Sequence, residues 1–208
     1  MCSYFEKIHD ILPAIKQFNT NSPHEDFYKE EVIRFYSIAG TIRENFLDAP
    51  NNIDARIISH VLIRSVIENY FWLLYIYFDD SLIKNRFDEY LNGFKKEYLK
   101  LHNEPLLPDK HMLETPDDSW KTLSHKDLNS ILTALVNDHG NKLNYIYFVY
   151  RISSFDTHGK SLSALFRTSF NKDCNFPYIK LEPIIDLIAN QYLVIWDKIS
   201  LNHNSPKA

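Results

Sequence analysis

IDARIISHVLIRSVIENYFWLLYIYF, residues 53–78, is the stretch whose reading decides the fold. Its last nine residues, YFWLLYIYF from Tyr70 to Phe78, are uninterrupted by a polar side chain other than tyrosine hydroxyls. The stretch is longer than an ordinary helix and suits the central member of a helical bundle. A membrane span needs about 20 apolar residues in a row. Going back from Tyr70, however, one meets Asn69, Glu68, Arg64 and His60, so no membrane partner is expected. Those polar positions follow a rule of their own. Arg56, His60, Arg64 and Glu68 recur every four residues, which draws a slanting polar stripe down one helix and lets Arg64 and Glu68 pair one turn apart. Buried charges are normally paired. The stripe is therefore either an internal network that satisfies itself or one wall of a polar pocket.

Composition agrees with helices. The 208 residues suffice for one good core, 45% are apolar, and 14 Phe, 13 Tyr and 3 Trp supply large side chains to bury. Four glycines are too few for the tight turns of a barrel or sandwich. A formal charge of −4 gives no global attraction for nucleic acid, so any polyanion site must be local or shared between subunits. Cys2 and Cys174 are too few for a disulfide framework or a thiolate zinc site, and the first eighteen residues lack the order of a signal peptide. A cytoplasmic location is expected.

Before residue 53, apolar residues at helical spacing from Tyr4 to Phe18 predict a helix that Pro13 kinks or splits. Ser22 and Pro23 then open a second helix, running to about Leu47. After residue 78, Asp79 to Ser81 cap an amphipathic helix over about Leu82 to Leu101. Its Lys84, Arg86, Lys95, Lys96 and Lys100 are interspersed with acids, the pattern of a solvated face. The three prolines of 102–118 predict a loop or lid, with Trp120 anchoring the return. Ser124 and Asp127 start a further helix that continues to Gly140. The next begins near Asn141, with Tyr145, Ile146, Phe148, Val149, Ile152 and Phe155 expected in the core. A short helix or turn follows, and Pro177 opens the last helix.

Ionisable groups gather where the helix from Asn141 ends, in YRISSFDTHGKSL, residues 150–162. Positions seven apart on a helix are almost eclipsed, so Arg151 and His158 project from one face with Ser154 between them. Gly159 can supply the left-handed residue that stops the helix. The partial negative charge of the last carbonyls favours a protonated imidazole that still titrates near neutrality. An Arg and a His placed so can form a catalytic site, or they can cap carbonyls and pair with a carboxylate.

The chain resembles a widespread bacterial family of unknown function that carries an R-S-x-x-E element in an early apolar helix, here Arg64, Ser65 and Glu68. A later Y-R-x-x-S-x-x-x-H-G element is matched by Tyr150, Arg151, Ser154, His158 and Gly159. The likeness covers about Ile53 to Leu165, so residues 1–50 read as an N-terminal helical extension and 51–200 as the family-like core of a single helical domain. The Arg-to-His spacing is also similar to that of HEPN domains, helical bundles in which such a pair forms the site of metal-independent ribonucleases. The resemblance implies an all-α, HEPN-like bundle of about six to eight helices, acting as an endoribonuclease of a toxin or anti-phage defence unit. It further implies a homodimer whose two motifs face one cleft, with Arg151 stabilising the phosphate and His158 moving the proton. Ser154, Arg64 and Glu68 would line the substrate side. Ile152 stands where HEPN nucleases often place a polar residue. Lys160 replaces the tyrosine carried by toxins that nucleotide transfer silences.

Other chemistries lack their patterns. His102, His111, His125 and His139 have neither an i, i+4 partner nor a neighbouring Cys pair, so no metal site is expected. No phosphate loop, dinucleotide fingerprint or nucleophile elbow occurs, so no cofactor is expected either. The alternative to a nuclease is a non-enzymatic module that binds a protein or small ligand through the same pocket. Exposure of Arg151 and His158 in a cleft would favour catalysis, and a closed, fully paired network would favour the module.

Overall fold

The computed structural model describes residues 3–47, 53–135, 140–157, 162–173 and 179–204. Among them the chain is all-α, with eight helices and no strand. In order these are α1 (Tyr4–Gln17), α2 (Pro23–Asn45), α3 (Ile53–Tyr77), α4 (Ile83–His102), α5 (Leu128–Ala134), α6 (Asn141–Thr157), α7 (Leu162–Phe170) and α8 (Glu182–Asn204). The chain divides into two compact units, one comprising Met1–Tyr70 and Asn137–Ala208, the other Phe71–Val136.

In the first unit α1 starts on Ser3, whose hydroxyl accepts from the Glu6 amide, and it runs through Pro13 without being split. The apolar spacing explains what it buries: Phe5, Ile8, Leu12 and Ile15 lie on one side of the helix. That side packs on α2 and α8. Pro23 occupies the first turn of α2 as expected, but Ser22 makes no cap bond to the helix, its hydroxyl lying 3.0 Å from His24 Nε2 instead. Aromatic rings fill the centre. The Tyr28 hydroxyl donates to the Tyr192 carbonyl at 2.7 Å, and Phe35 meets the Tyr192 ring edge-on at 5.1 Å. α8 begins at Glu182, with the Leu181 carbonyl taking the first amides, those of Ile184 and Ile185. This is later than the sequence suggested, and Pro177 lies outside the described residues.

Helix α3 is long and apolar enough to cross a membrane by length and composition alone, over Ala55–Tyr77. Two features are those of a core helix. Ser59, Ile63, Val66, Ile67 and Tyr70 form a buried face, and the polar stripe finds partners within the fold. It is not wrapped on every side, since Ile57, Ile58 and Val61 are exposed.

In the second unit Asp79 accepts from the Ser81 amide at the head of a 3₁₀ turn that leads into α4. Residues 102–118 are mostly irregular, with a short 3₁₀ turn at Lys110–Met112. Trp120 sits in another 3₁₀ turn packed on α4, where its ring meets Tyr98 edge-on at 6.2 Å and Lys95 lies over it, the anchoring expected of it. Asp127 caps α5 through the Ser130 amide, but the helix stops at Ala134, well short of Gly140. Tyr75, Ile131 and Leu135 form a buried cluster.

Candidate functional site

Helices α3 and α6 are joined by two polar linkages whose order shows antiparallel neighbours: residue 60 meets 156, while residue 64 meets 154 and 150. The four-residue repeat on α3 produces this. It stacks Arg56, His60, Arg64 and Glu68 along one line, so Arg56 and His60 converge on Asp156 while Arg64 reaches the preceding turn of α6 and Glu68 pairs with Arg64.

Arg64 is the hub of the first linkage. Its Nε donates to Ser154 Oγ at 3.0 Å, Nη2 to the Tyr150 hydroxyl at 3.0 Å and Nη1 to Glu68 Oε2 at 3.3 Å. The guanidinium also lies over the Tyr150 ring, 4.7 Å from its centre. Ser154 Oγ in turn donates to the Tyr150 carbonyl at 2.8 Å, so the hydroxyl that receives Arg64 is held in one rotamer. Burial and then the Glu68 carboxylate push the Tyr150 phenol up, against Arg64 and Arg151, and it stays protonated.

Asp156 is the hub of the second. Its carboxylate is 2% exposed, receives His60 Nδ1 at 2.7 Å and faces Arg56 Nη2 at 3.5 Å. Burial pushes the His60 imidazole below its ordinary pKa and outweighs the upward pull of Asp156; the Arg56 charge adds to the lowering. A neutral His60 then donates Nδ1–H to Asp156 and keeps Nε2 unprotonated. Arg56 Nε is buried without an acceptor among the described residues.

The residues singled out by sequence are thus distributed unequally. Arg64, Glu68 and Ser154 come together. Arg151 is exposed on α6, with no hydrogen bond or ion pair among the described residues. His158 and Gly159 lie outside the described residues, as does Lys160, and α6 is described to Thr157. Sequence reasoning missed Asp156, although a signal was present: it is the only acid in α6, opposite a stripe with two arginines and a histidine. It also misplaced three aromatics. Tyr145, Phe148 and Phe155, expected in the core, are 44%, 41% and 41% exposed, while Leu143, Ile146, Val149, Ile152, Ser153 and Asp156 are buried instead. Phe148 and Phe155 lie almost above one another at the border between the exposed Arg151 and the buried Ile152, so the period groups them but does not say on which side of the border they fall.

Two concavities lie elsewhere in the first unit. One, of about 980 Å³, is floored by Phe5 and Tyr36 stacked at 5.2 Å, with Arg43 bonded to Glu6 at its edge. The other, of about 590 Å³, opens beside Tyr145 at the start of α6. Among the described residues no group of three or more His, Cys, Asp or Glu side chains is arranged to hold a metal ion. No protein-family model matches the chain, and neither a curated protein nor a solved structure matches it.

Proposed function

We propose that this chain is a HEPN-like, metal-independent endoribonuclease of a toxin or anti-phage defence system, acting as a cytoplasmic homodimer in which two α6 motifs line one cleft. The observation that carries the reading is Arg151. It is a solvent-exposed cation without a partner among the described residues, on a helix whose adjacent Tyr150 and Ser154 are clamped by Arg64. A cation kept free on a fixed helix is prepared for an anion that the fold itself does not supply.

In this reading His158, placed by its seven-residue spacing from Arg151, takes the proton of a ribose 2′-hydroxyl. The oxygen attacks the neighbouring phosphorus and the bond to the 5′-oxygen breaks, giving a cyclic phosphate and a 5′-hydroxyl. Arg151 stabilises the charge that develops on the phosphate oxygens. Arg64, paired with Glu68, holds the helix that carries Arg151.

The experiment is cleavage of RNA by wild-type protein beside Arg151→Ala and His158→Ala, with chelator present and folding checked by circular dichroism. Cleavage that survives chelation and is lost in both folded variants supports the reading. Intact RNA with wild-type protein sinks it. A second reading, a non-enzymatic module binding a protein or small ligand, is favoured by one specific observation: the Arg64 network is closed on itself, with Glu68 balancing its charge. Intact RNA with wild-type protein, together with lower melting temperatures in the Arg151 and His158 variants, would point there.

A further inference from the structure

Helix α7 is the least supported helix of the first unit. Among its described side chains, those of residues 163–170, none is buried, and Leu165 and Phe170 are 52% and 61% exposed. Its sequence is nevertheless patterned: Leu162, Leu165, Phe166 and Phe170 fall on one side of the helix, Arg167 and Thr168 on the other. Nine residues do not hold a helix in water by propensity, since isolated helices shorter than about 12–15 residues are marginal even with the best helix formers. The same unit exposes a second apolar strip. Ile57, Ile58 and Val61, on the side of α3 away from its buried face, are 37%, 45% and 42% exposed and span about 100° of the helix. The bond between His60 and Asp156 sets this strip level with the last described turn of α6.

We infer that two copies of this chain pair reciprocally, α7 of each lying on the Ile57, Ile58 and Val61 strip of the other. Area selects this occupant. With each fully exposed side chain taken as 150–200 Å², the five exposed residues offer roughly 400 Å² per protomer and, because a two-fold buries both patches twice, roughly 800 Å² for the pair. At the apolar share of about 65% found in homodimer contacts, that corresponds to about 1,200 Å² in all, the lower edge of stable interfaces. A partner covering α7 alone, or the α3 strip alone, would bury about half as much. A lipid surface asks for a polar side rich in free lysine and arginine. Arg167 is the one cation of α7, and its Nη2 and Nε donate to Asp173 at 2.8 and 3.0 Å. A two-fold at the α3 strip also draws together the ends of two α6 helices, the placement that one shared cleft requires. The inference rests on the nuclease reading only for what the pairing serves; the pairing itself needs no catalysis.

The test is analytical ultracentrifugation of the full-length protein over a concentration series, with helix content followed by circular dichroism. Wild type should sediment as a dimer that dissociates on dilution, and amide exchange in α7 should slow as concentration rises, because the helix gains its support from the partner. The double variant Leu165→Glu, Phe170→Glu and the double variant Ile58→Glu, Val61→Glu change exposed positions, so the fold should survive. Each should raise the dissociation constant at least about a hundredfold. A monomeric wild type overturns the pairing. Weakening by one double variant and not the other also overturns it, since like would then join like. A dimer lost in both double variants, formed by a wild type that leaves RNA intact, upholds the pairing while ending the nuclease reading. RNA cleavage by a wild type that sediments as a monomer does the reverse, leaving Arg151 and His158 to act without a partner.

Discussion

Replacing Asp156 tests whether the second linkage fastens α6 to α3. The carboxylate is 2% exposed and serves two cationic or potentially cationic neighbours, His60 at 2.7 Å and Arg56 at 3.5 Å. Asp156→Ala removes a charge-assisted hydrogen bond, about 1.5–3 kcal/mol. It also strips the counter-charge from Arg56, whose Nε already has no acceptor among the described residues. Breaking a fully buried pair costs about 3–5 kcal/mol. The Arg56 side chain is 24% exposed and regains some hydration, which places the total near the lower end, about 3 kcal/mol. Asp156→Asn keeps an acceptor for His60 Nδ1–H and loses only the charge, about 1–2 kcal/mol. For a chain of this size those values correspond to falls in Tm of about 6–12 °C and about 2–8 °C. Because the chain has two compact units, a melting curve is best read beside hydrogen exchange, where protection should drop first in peptides of α6 and the first half of α3. A cycle with His60→Ala isolates the pair, and its coupling should reach about 1 kcal/mol or more. Asp156→Ala within about 0.5 kcal/mol of wild type, or a coupling near zero, would refute the reasoning.

Acid should loosen the first unit. The folded-state pKa of His60 lies below the unfolded value near 6.5, so the unfolded chain binds more protons as pH falls. The contribution of a neutral His60 is therefore fully present above about pH 6.5 and is lost as pH drops through the folded pKa. Urea unfolding at pH 7.5 and 5.5 should show the loss, and His60→Gln should shrink it; His24, lowered by burial in the same direction, is the control substitution. Ser154→Ala removes one acceptor of Arg64 and should cost about 1 kcal/mol in chemical denaturation. In the second unit Ile131 is fully buried beside Tyr75 and Leu135, and Ile131→Ala should cost about 2–5 kcal/mol, read as lost exchange protection in α5.

Much of the helical plan was legible because its signals are local. Asp79 and Asp127 announce caps, Pro23 sits in a first turn, and Asn141 opens α6, all within a few residues of sequence. The pairing of Arg64 with Glu68 was legible for the same reason, being one helical turn long. What escaped is tertiary. Asp156 stands out as the only acid of α6, but its neighbours in sequence do not say which of Arg56, His60 and Arg64 it meets, some 96 residues away. Phe148 and Phe155 looked like core because aromatic residues usually are, yet which side of α6 turns inward is set by what α3 presents to it. The end of α5 at Ala134 shows the same limit, since an apolar pattern running on to Val136 did not prolong the helix.

The two sides of α6 separate stability from function in a way that decides between the readings. Tyr150 and Ser154 are engaged by Arg64, and Asp156 by His60 and Arg56, so substitutions there act on how α6 is held. Arg151 touches none of those partners. Its guanidinium is exposed and in water, and an exposed cation without a counter-ion contributes little to folding. Arg151→Ala should therefore leave Tm within about 1–2 °C of wild type, whereas Arg64→Ala lowers it by several times that. If the chain is a nuclease, Arg151→Ala abolishes cleavage at unchanged stability. A module whose polar residues serve only the fold gives the opposite result, with any effect of Arg151 appearing in the melting curve. The separation holds because Arg64 is satisfied inside the first unit: it keeps its own charge occupied with Glu68 and leaves Arg151 as an exposed cation of α6 next to the clamped Tyr150.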